Sequence, residues 1–541
     1  MQNRTRSPAI DIVSVRWERI QLVLALRPSA GTALDVDSLR LEQVGGPGNL
    51  PPTHVSLEGD VVRIRINVMQ GPDLQPLEPG RWQLTGRTGP DGPRAPLRVS
   101  DPGALRGEAG AAAFRLRDGI FRAAPVVAAE DDSLALDIGF EAGVGFASDA
   151  GRRARTRQRL RGSLGAARGA AFRLALRGIN AVSRRKGRRV LFTSDSRAGL
   201  EGNLKDVHDR MVERGLDREY RLETLFKESI ATRRRMVDRL RLPWQLAAAD
   251  VVVIDDFHPV IYRIGVDPGV RIIQLWHASG AFKTVGYSRV GKPGGPDPYG
   301  RGHKNYTHAI VSSEHDIPFY AEAFGIPEAR VVPTGIPRMD RFFDEAARSA
   351  GLEAAHAAFP ETAGRMTILF APTFRGDGPR TASYDIAGLD YAALHALCLE
   401  KDAVIIIRMH PFVTEPLAIP VSMRDRLLDG SAIPLDVNDL LFAVDLVVTD
   451  YSSIVFEFST LGRPMLFFAY DLDEYVATRD FYEPFESFVP GRIVRTFPEM
   501  LDAIRRDDFE VEKVAAFAAR HFAHLDGGST DRVIDELILA R

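Results

Sequence analysis

The 541-residue chain contains a single cysteine, Cys398, so it can close no internal disulfide and can build no cysteine zinc site. That suits a reducing compartment without requiring one. Net charge is also nearly absent: 70 Lys and Arg against 72 Asp and Glu leave −2, and no global field points to nucleic acid. Long apolar runs are missing too. Nowhere do about eighteen apolar residues follow one another, which predicts no membrane-spanning helix. The N-terminal stretch MQNRTRSPAIDIVSVRWER lacks the apolar core of a signal peptide. Neither GxxxxGK[ST] nor a GxGxxG after a strand occurs, which removes support from ATPase and NAD-dependent readings. Asp255-Asp256 and the acidic 471–475 stretch have no metal-ligand spacing and read as turns or helix caps. What remains is an ordinary soluble composition, 45% hydrophobic and 26% charged, long enough for about three domains.

Three compositional regimes follow one another. Residues 1–150 read as a β-rich, sandwich-like accessory region. Val62, Ile64, Ile66 and Val68 alternate along DVVRIRINVM, and GRWQLTG and SLALDIGFEAG are further short strands between Gly and Pro turns. Its surface predicts packing or docking and no chemistry. From 151 to 189 no acid occurs, while fourteen Arg and Lys crowd in. Apolar Leu160, Leu164, Ala167, Ala171, Leu174 and Ile179 interleave them at rough helical spacing. Residues 151–188 therefore read as a basic amphipathic helix on an anionic membrane surface, or else as a solvated linker. Nucleic acid ranks third, because only Phe172 supplies an aromatic for stacking.

Beyond Arg189 apolar strands alternate with helices, which is the signature of parallel α/β layers. Nine strands are legible, from RRVLFTS to PMLFFAY. The run exceeds one Rossmann-like sheet, and 342–365 joins two such units. The expected architecture is a pair of doubly wound domains, 189–345 and 346–541, facing across a cleft.

Ligands in such sheets bind beyond the carboxyl ends of the strands. Those ends deliver Trp276 and His277, the small loop Ala278-Ser279-Gly280, then Lys283. They also deliver Arg338; Thr373, Phe374 and Arg375; Arg408 and His410; and Thr449, Asp450, Ser452 and Ser453. Cations, histidines and hydroxyls with little acid between them suit an anionic ligand such as a phosphate diester. In the stretch 440–475 a strand stops at Thr449–Ser453 just where a helix begins. Ser452 or Ser453 can cap that helix, its free N–H groups can receive a phosphate oxygen, and Asp450 can accept from a hydroxyl or a ribose. Taken alone, the cluster reads more simply as an N-cap and a turn. His277 and His410 end strands in different halves, and a neutral imidazole can accept a proton near pH 7.

The segments LWHASGAFKTVG, TGIPRMD, ILFAPTFR, IIIRMHP, DVNDLLFAVDLVVTDYSSIVFEF, RPMLFFAYDLDEY, RDFYEPFESFVPG and DGGSTDRVID carry a family likeness. From about Arg189 to the end the chain resembles the CDP-glycerol glycerophosphotransferases of teichoic acid and capsule synthesis. The resemblance implies a GT-B pair of Rossmann-type domains. It also implies transfer of glycerol phosphate from CDP-glycerol to a lipid-linked polyol-phosphate or glycan acceptor, with release of CMP. It makes His277 the acceptor base, and His410 with Arg408 the stabilisers of the diphosphate and departing CMP. Arg338, Thr373, Phe374, Arg375 and the Thr449–Ser453 loop would hold phosphates and cytidine. No cofactor is implied with certainty, although a diphosphate donor can bring Mg2+. The implied location is cytoplasmic, peripheral at the inner membrane face. Where the family reads Trp-His-Gly-Thr-Pro, this chain has Trp276-His277-Ala278-Ser279-Gly280, so ribitol or another polyol can replace glycerol. A GT-B glycosyltransferase using a nucleotide sugar and a catalytically silent membrane-surface scaffold are the alternatives.

Overall fold

The computed structural model describes residues 7–142 and 187–540, except 31, 33, 106–109, 231, 233, 264–268, 377–379 and 386–387, together with Leu174 and Gly178. The basic segment read at 151–188 otherwise lies outside the described residues. No helix among the described residues is long and apolar enough to cross a membrane.

Before that segment, period-2 alternation becomes two facing sheets. One runs His54–Glu58, Val61–Asn67, Gln21–Pro28, Ala9–Glu18, Arg98–Val99 in spatial order. The other runs Ala112–Leu116, Gly119–Val127, Leu134–Ala142, Gly80–Thr88, Leu34–Gln43, Asn49–Leu50. Leu22, Leu24, Ile64, Trp82, Phe121 and Leu136 fill one core between them. That core continues into Tyr287 and Val290 of the following α/β body. Arg19 Nε donates to Glu322 Oε1 at 2.6 Å, and Lys304 Nζ to the Leu74 carbonyl at 2.5 Å. The β-rich region is thus fixed to the body by apolar contact and buried charge.

The body holds two six-stranded parallel sheets. The first is ordered Arg221–Phe226, Arg189–Ser194, Val251–Ile254, Arg271–Gln274, His308–Ile310, Val331–Val332. The second is ordered Leu427–Asp429, Ala403–Ile407, Met366–Phe370, Leu446–Thr449, Met465–Phe468, Arg492–Val494. Central strands such as Ala403–Ile407 are buried at every position because both sheet faces are covered. Strand order reverses between Arg189–Ser194 and Val251–Ile254, and again between Met366–Phe370 and Leu446–Thr449. Loops diverge at such points and leave a crevice. Helix Glu345–Ala358 joins the units, its first turn closed by the Asp344 carboxylate accepting from Ala347 N at 2.8 Å.

The two units also share one continuous core that takes Phe192 and Ile273 from one and Val404, Val447 and Phe456 from the other. Phe282 stacks on Phe488 across the seam at 4.7 Å. The C-terminal segment returns to the first unit, where Arg210 and Arg214 pair with Asp531 and Asp535.

Candidate active site

At the exit of Arg271–Gln274, Trp276 adopts φ 52°, a left-handed conformation that costs a bulky residue about 1–3 kcal/mol. Its N–H donates to Gln274 Oε1 at 2.8 Å, and its carbonyl accepts from Asn203 Nδ2 at 2.8 Å. Asn203 Oδ1 accepts from the Arg338 backbone N–H at 2.9 Å, so one buried amide ties two strand exits together. The result presents His277, whose ring lies 4.3 Å from the Trp276 ring. Its side chain is 47% exposed, and Nδ1 lies 3.9 Å from Asp256 Oδ1. Surrounding protein depresses the imidazole pKa below 6.5, only partly opposed by Asp256 and Asp255. The ring is therefore neutral near pH 7. It opens onto a cavity of about 1120 Å³ that Arg338, Arg197 and Asp206 also line. Burial pushes the Asp206 carboxyl up to about 6.

Behind His277 lies the reversal point of the first sheet, where Asp255-Asp256, which the spacing alone presents as a turn, joins a buried charge cluster. Asp255 is fully buried against Arg197. Asp195 pairs with Arg234 and lies 3.5 Å from Lys227 Nζ. His258 is buried beside Asp195 and burial drives its pKa down to about 4, so it is a neutral structural ring.

The second reversal point gathers Lys283, Thr373, Phe374, Arg375, His410 and Asp450. Phe374 packs on the His410 ring at 4.6 Å, and Phe412 meets both rings, at 4.7 Å from His410 and 5.3 Å from Phe374. Burial and the neighbouring Lys283 charge lower the His410 pKa. Burial likewise lowers Lys283 to about 8 despite Asp450. Arg479 stands over Phe374 at 5.9 Å. The Thr373 hydroxyl is buried and finds no protein partner, so it is available to a ligand oxygen. Lys283, over the Tyr475 ring at 5.5 Å, and Arg479, over Phe374, make an electropositive surface suited to a diphosphate beside the neutral His410 ring. Arg408 stands nearby at the same strand exit as His410, donating to the Leu435 carbonyl at 2.5 Å.

Several residues that the strand-exit argument assigns to substrate are engaged elsewhere. Arg375 gives Nε and Nη2 to Asp471 at 2.5 and 2.8 Å, and Nη1 lies 3.0 Å from Asp450 Oδ2. Tyr384, Tyr451, Tyr470 and Tyr475 surround its guanidinium at 5.1–5.6 Å. Asp450 Oδ1 accepts from Thr373 N at 2.7 Å and Tyr451 N at 2.5 Å, while its buried Oδ2 faces the Arg375 guanidinium. Ser279 is 1% exposed, donates to Glu457 Oε1 at 2.7 Å and accepts from Arg338 Nη2 at 2.9 Å. Arg338 itself pairs with Glu457. Thr449 donates to the Ala371 carbonyl at 2.6 Å. Ala278 packs in the apolar core, and Gly280 faces the Phe456 ring. These residues brace the site. The helix expected to receive phosphate is only Ile454–Ser459, six residues; Ser453 at its N-cap makes no side-chain cap bond, and Ser452 accepts from Ile454 N at a long 3.4 Å. Asp450 and Asp471 already serve Arg375, Tyr451 and backbone, so a resident Mg2+ does not fit at this end among the described residues.

Two histidine-centred clusters, joined by one small-residue loop, thus make up the candidate site. Residues 176–539 match the sequence model of the family described as CDP-glycerol:poly(glycerophosphate) glycerophosphotransferase. The chain belongs to this family. It is 48% identical over 353 residues to the teichoic acid ribitol-phosphate polymerase TarK of Staphylococcus aureus, covering 65% of this chain and 69% of that one. It is 38% identical over 353 residues to the teichoic acid poly(ribitol-phosphate) polymerase of Bacillus spizizenii, covering 65% of this chain and 56% of that one. The chain thus spans only part of each relative. Among solved structures, the wall teichoic acid polymerase TagF superposes with TM-score 0.54 at 21% identity, over 72% of this chain and 97% of that one. That likeness shows the fold: α/β, a GT-B-like pair of Rossmann-type units. Family membership favours neither a nucleotide-sugar transferase nor a silent scaffold.

Proposed function

We propose that the chain transfers a polyol phosphate, ribitol phosphate in preference to glycerol phosphate, from a CDP-activated donor to a hydroxyl of a polyol-phosphate or glycan acceptor. The observation that carries this reading is His277: a neutral, accessible imidazole held over a large polar cavity by a strained Trp276. The relatives named as ribitol-phosphate polymerases support ribitol as the unit.

In this reading the unit 189–345 offers acceptor site and base, and 346–541, joined by Lys283 of the first unit, offers the donor site. His277 takes the proton of the acceptor hydroxyl as that oxygen forms a bond to the phosphorus bearing the polyol. The bond from that phosphorus to the bridging oxygen breaks, and CMP leaves with the electron pair. Lys283 and Arg479 neutralise charge on the departing phosphate, and the neutral His410 ring and the Thr373 hydroxyl donate hydrogen bonds to it. Arg375, Asp450, Ser279 and Arg338 act by holding these groups in place.

Membrane contact at the inner face belongs to the same reading. The basic segment 151–189 supports it, as do exposed Met236, Val237 and Trp244 beside exposed Arg235, Arg239 and Arg241. Flotation with vesicles rich in phosphatidylglycerol is expected, and its absence at low salt would refute the contact.

The deciding experiment measures CMP release from CDP-ribitol and CDP-glycerol, with UDP-sugars in parallel, on a polyol-phosphate acceptor. Acceptor-dependent release from a CDP-polyol, lost in His277→Ala, is the expected result. Turnover of a UDP-sugar alone would overturn the chemistry while leaving the fold.

A further inference from the structure

Three side chains outside this site converge on the seam between the two α/β units. His315 follows strand His308–Ile310, Glu483 follows helix Leu472–Thr478, and His521 ends helix Glu512–His521. One ligating atom from each lies within 4.8 Å of the others, and His315 Nε2 is 3.1 Å from Glu483 Oε1. His521 is 1% exposed, yet neither ring nitrogen has a hydrogen-bond partner in the protein. Phe456, Phe488 and Phe517 wall the ring at 4.3–5.4 Å between centroids, and the His315 ring meets it at 5.2 Å. Glu483 Oε2 is likewise buried without a partner. Orphaned buried groups of this kind are strongly disfavoured unless something else satisfies them.

We propose that His315, Glu483 and His521 bind a divalent transition-metal ion, Zn2+ by the chemistry of the ligands. Two imidazoles and one carboxylate are a nitrogen-rich set that suits Zn2+. They do not offer the all-oxygen shell that Mg2+ or Ca2+ takes. Bonds of about 2.0–2.2 Å draw three such ligands closer than they stand, which a small movement of the two partly exposed side chains, His315 and Glu483, provides. Asp316 Oδ1 lies 3.9 Å from His521 Nδ1, placed to take the Nδ1–H and leave Nε2 for the ion. Arg520 pairs with Glu483 from the solvent side and is the carboxylate's competing partner.

The ion would fasten one unit to the other, since His315 comes from the first and Glu483 and His521 from the second. It would also stiffen the loop after His277: Asp316 Oδ1 accepts from Ala281 N at 3.4 Å, and Ser312 donates to the Ser279 carbonyl. The site rests on its own geometry and stands whether or not the donor is a CDP-polyol.

The test uses the full chain, stripped with a chelator and titrated with Zn2+ alone by calorimetry, with bound metal counted by mass spectrometry. One Zn2+ per chain is expected, with a Tm that rises with zinc concentration. His315→Gln and Glu483→Gln, both at partly exposed positions, keep a folded protein and weaken binding by at least about tenfold. Arg520→Ala leaves the stoichiometry unchanged. No zinc above the buffer blank would overturn the proposal, as would equal zinc affinity in wild type and both glutamine variants.

Discussion

Gly280→Ala isolates the most demanding contact in the site. A Cβ at residue 280 would stand 2.2 Å from Phe456 Cε1, 2.5 Å from Cζ and 2.7 Å from Cδ1. Carbon atoms in contact sit about 3.5–4.0 Å apart, so ring or loop must retreat by more than an ångström. The ring cannot yield easily. Phe456 is fully buried and meets Phe488 at 5.9 Å, Phe517 at 5.4 Å and His521 at 5.4 Å. Overpacking of this kind costs about 1–3 kcal/mol, and a closed aromatic box puts the cost near the upper end. Backbone strain plays no part, because Gly280 does not use a positive φ. If the loop moves instead, it carries Ser279 away from Glu457 and shifts His277, and a displacement of about 1 Å can lower transfer about 100-fold. Chemical denaturation and CMP release, measured on the same samples, read the two costs. Phe456→Leu should restore part of both in the double variant, with a coupling energy of about 1–2 kcal/mol. A Gly280→Ala protein with wild-type stability and wild-type turnover would refute the argument.

The other expectations concern charge. His277→Gln should abolish transfer and leave the unfolding midpoint nearly unchanged, since that side chain is 47% exposed. Because protein surroundings lower its pKa, wild-type kcat/KM should rise with pH and level off below the ordinary histidine value of 6.5; a limb at or above that value would count against His277 as the base. Lys283 titrates at about 8, so the KM for donor should climb as pH rises through that value, and a flat KM would remove Lys283 from the donor site. Asp206→Asn should stabilise the fold. Its folded pKa is raised from 3.8 to about 6, so the wild-type residue costs nothing below pH 4, where it is protonated folded and unfolded alike, and opposes folding increasingly as pH rises to 6. At pH 7.5 the gain is at most about 3 kcal/mol, and denaturation at pH 3.5 should show none.

Among the described residues, nine of the twelve parallel strands are legible in the sequence because buried central strands are unbroken apolar runs, as in Ala403–Ile407. The three that escape notice, Arg221–Phe226, Leu427–Asp429 and Arg492–Val494, all lie at sheet edges. One face of an edge meets solvent, so polar residues enter and the pattern fades: of Arg221–Phe226 only Leu225 is fully buried. In the site, His277 and His410 stand out as histidines that end apolar runs. Asn203 escapes notice because it lies in the first turn of helix Gly202–Glu213 with no pattern around it, although it joins Trp276 to Arg338.

The sequence by itself determines the parallel α/β class, the β-rich start and the set of strand ends where a ligand can bind. Those features are local: hydrophobic period, turn residues and the order of segments along the chain. Tertiary structure decides which polar group faces ligand and which faces protein. Arg375 reads as a phosphate ligand until Asp471, 96 residues away, claims its guanidinium. Ser279 reads as open until Glu457, 178 residues away, accepts its hydroxyl. His315, Glu483 and His521 read as three unrelated residues until the two units close. A buried charge must find its partner wherever the fold brings one, and such pairing leaves no spacing in the sequence.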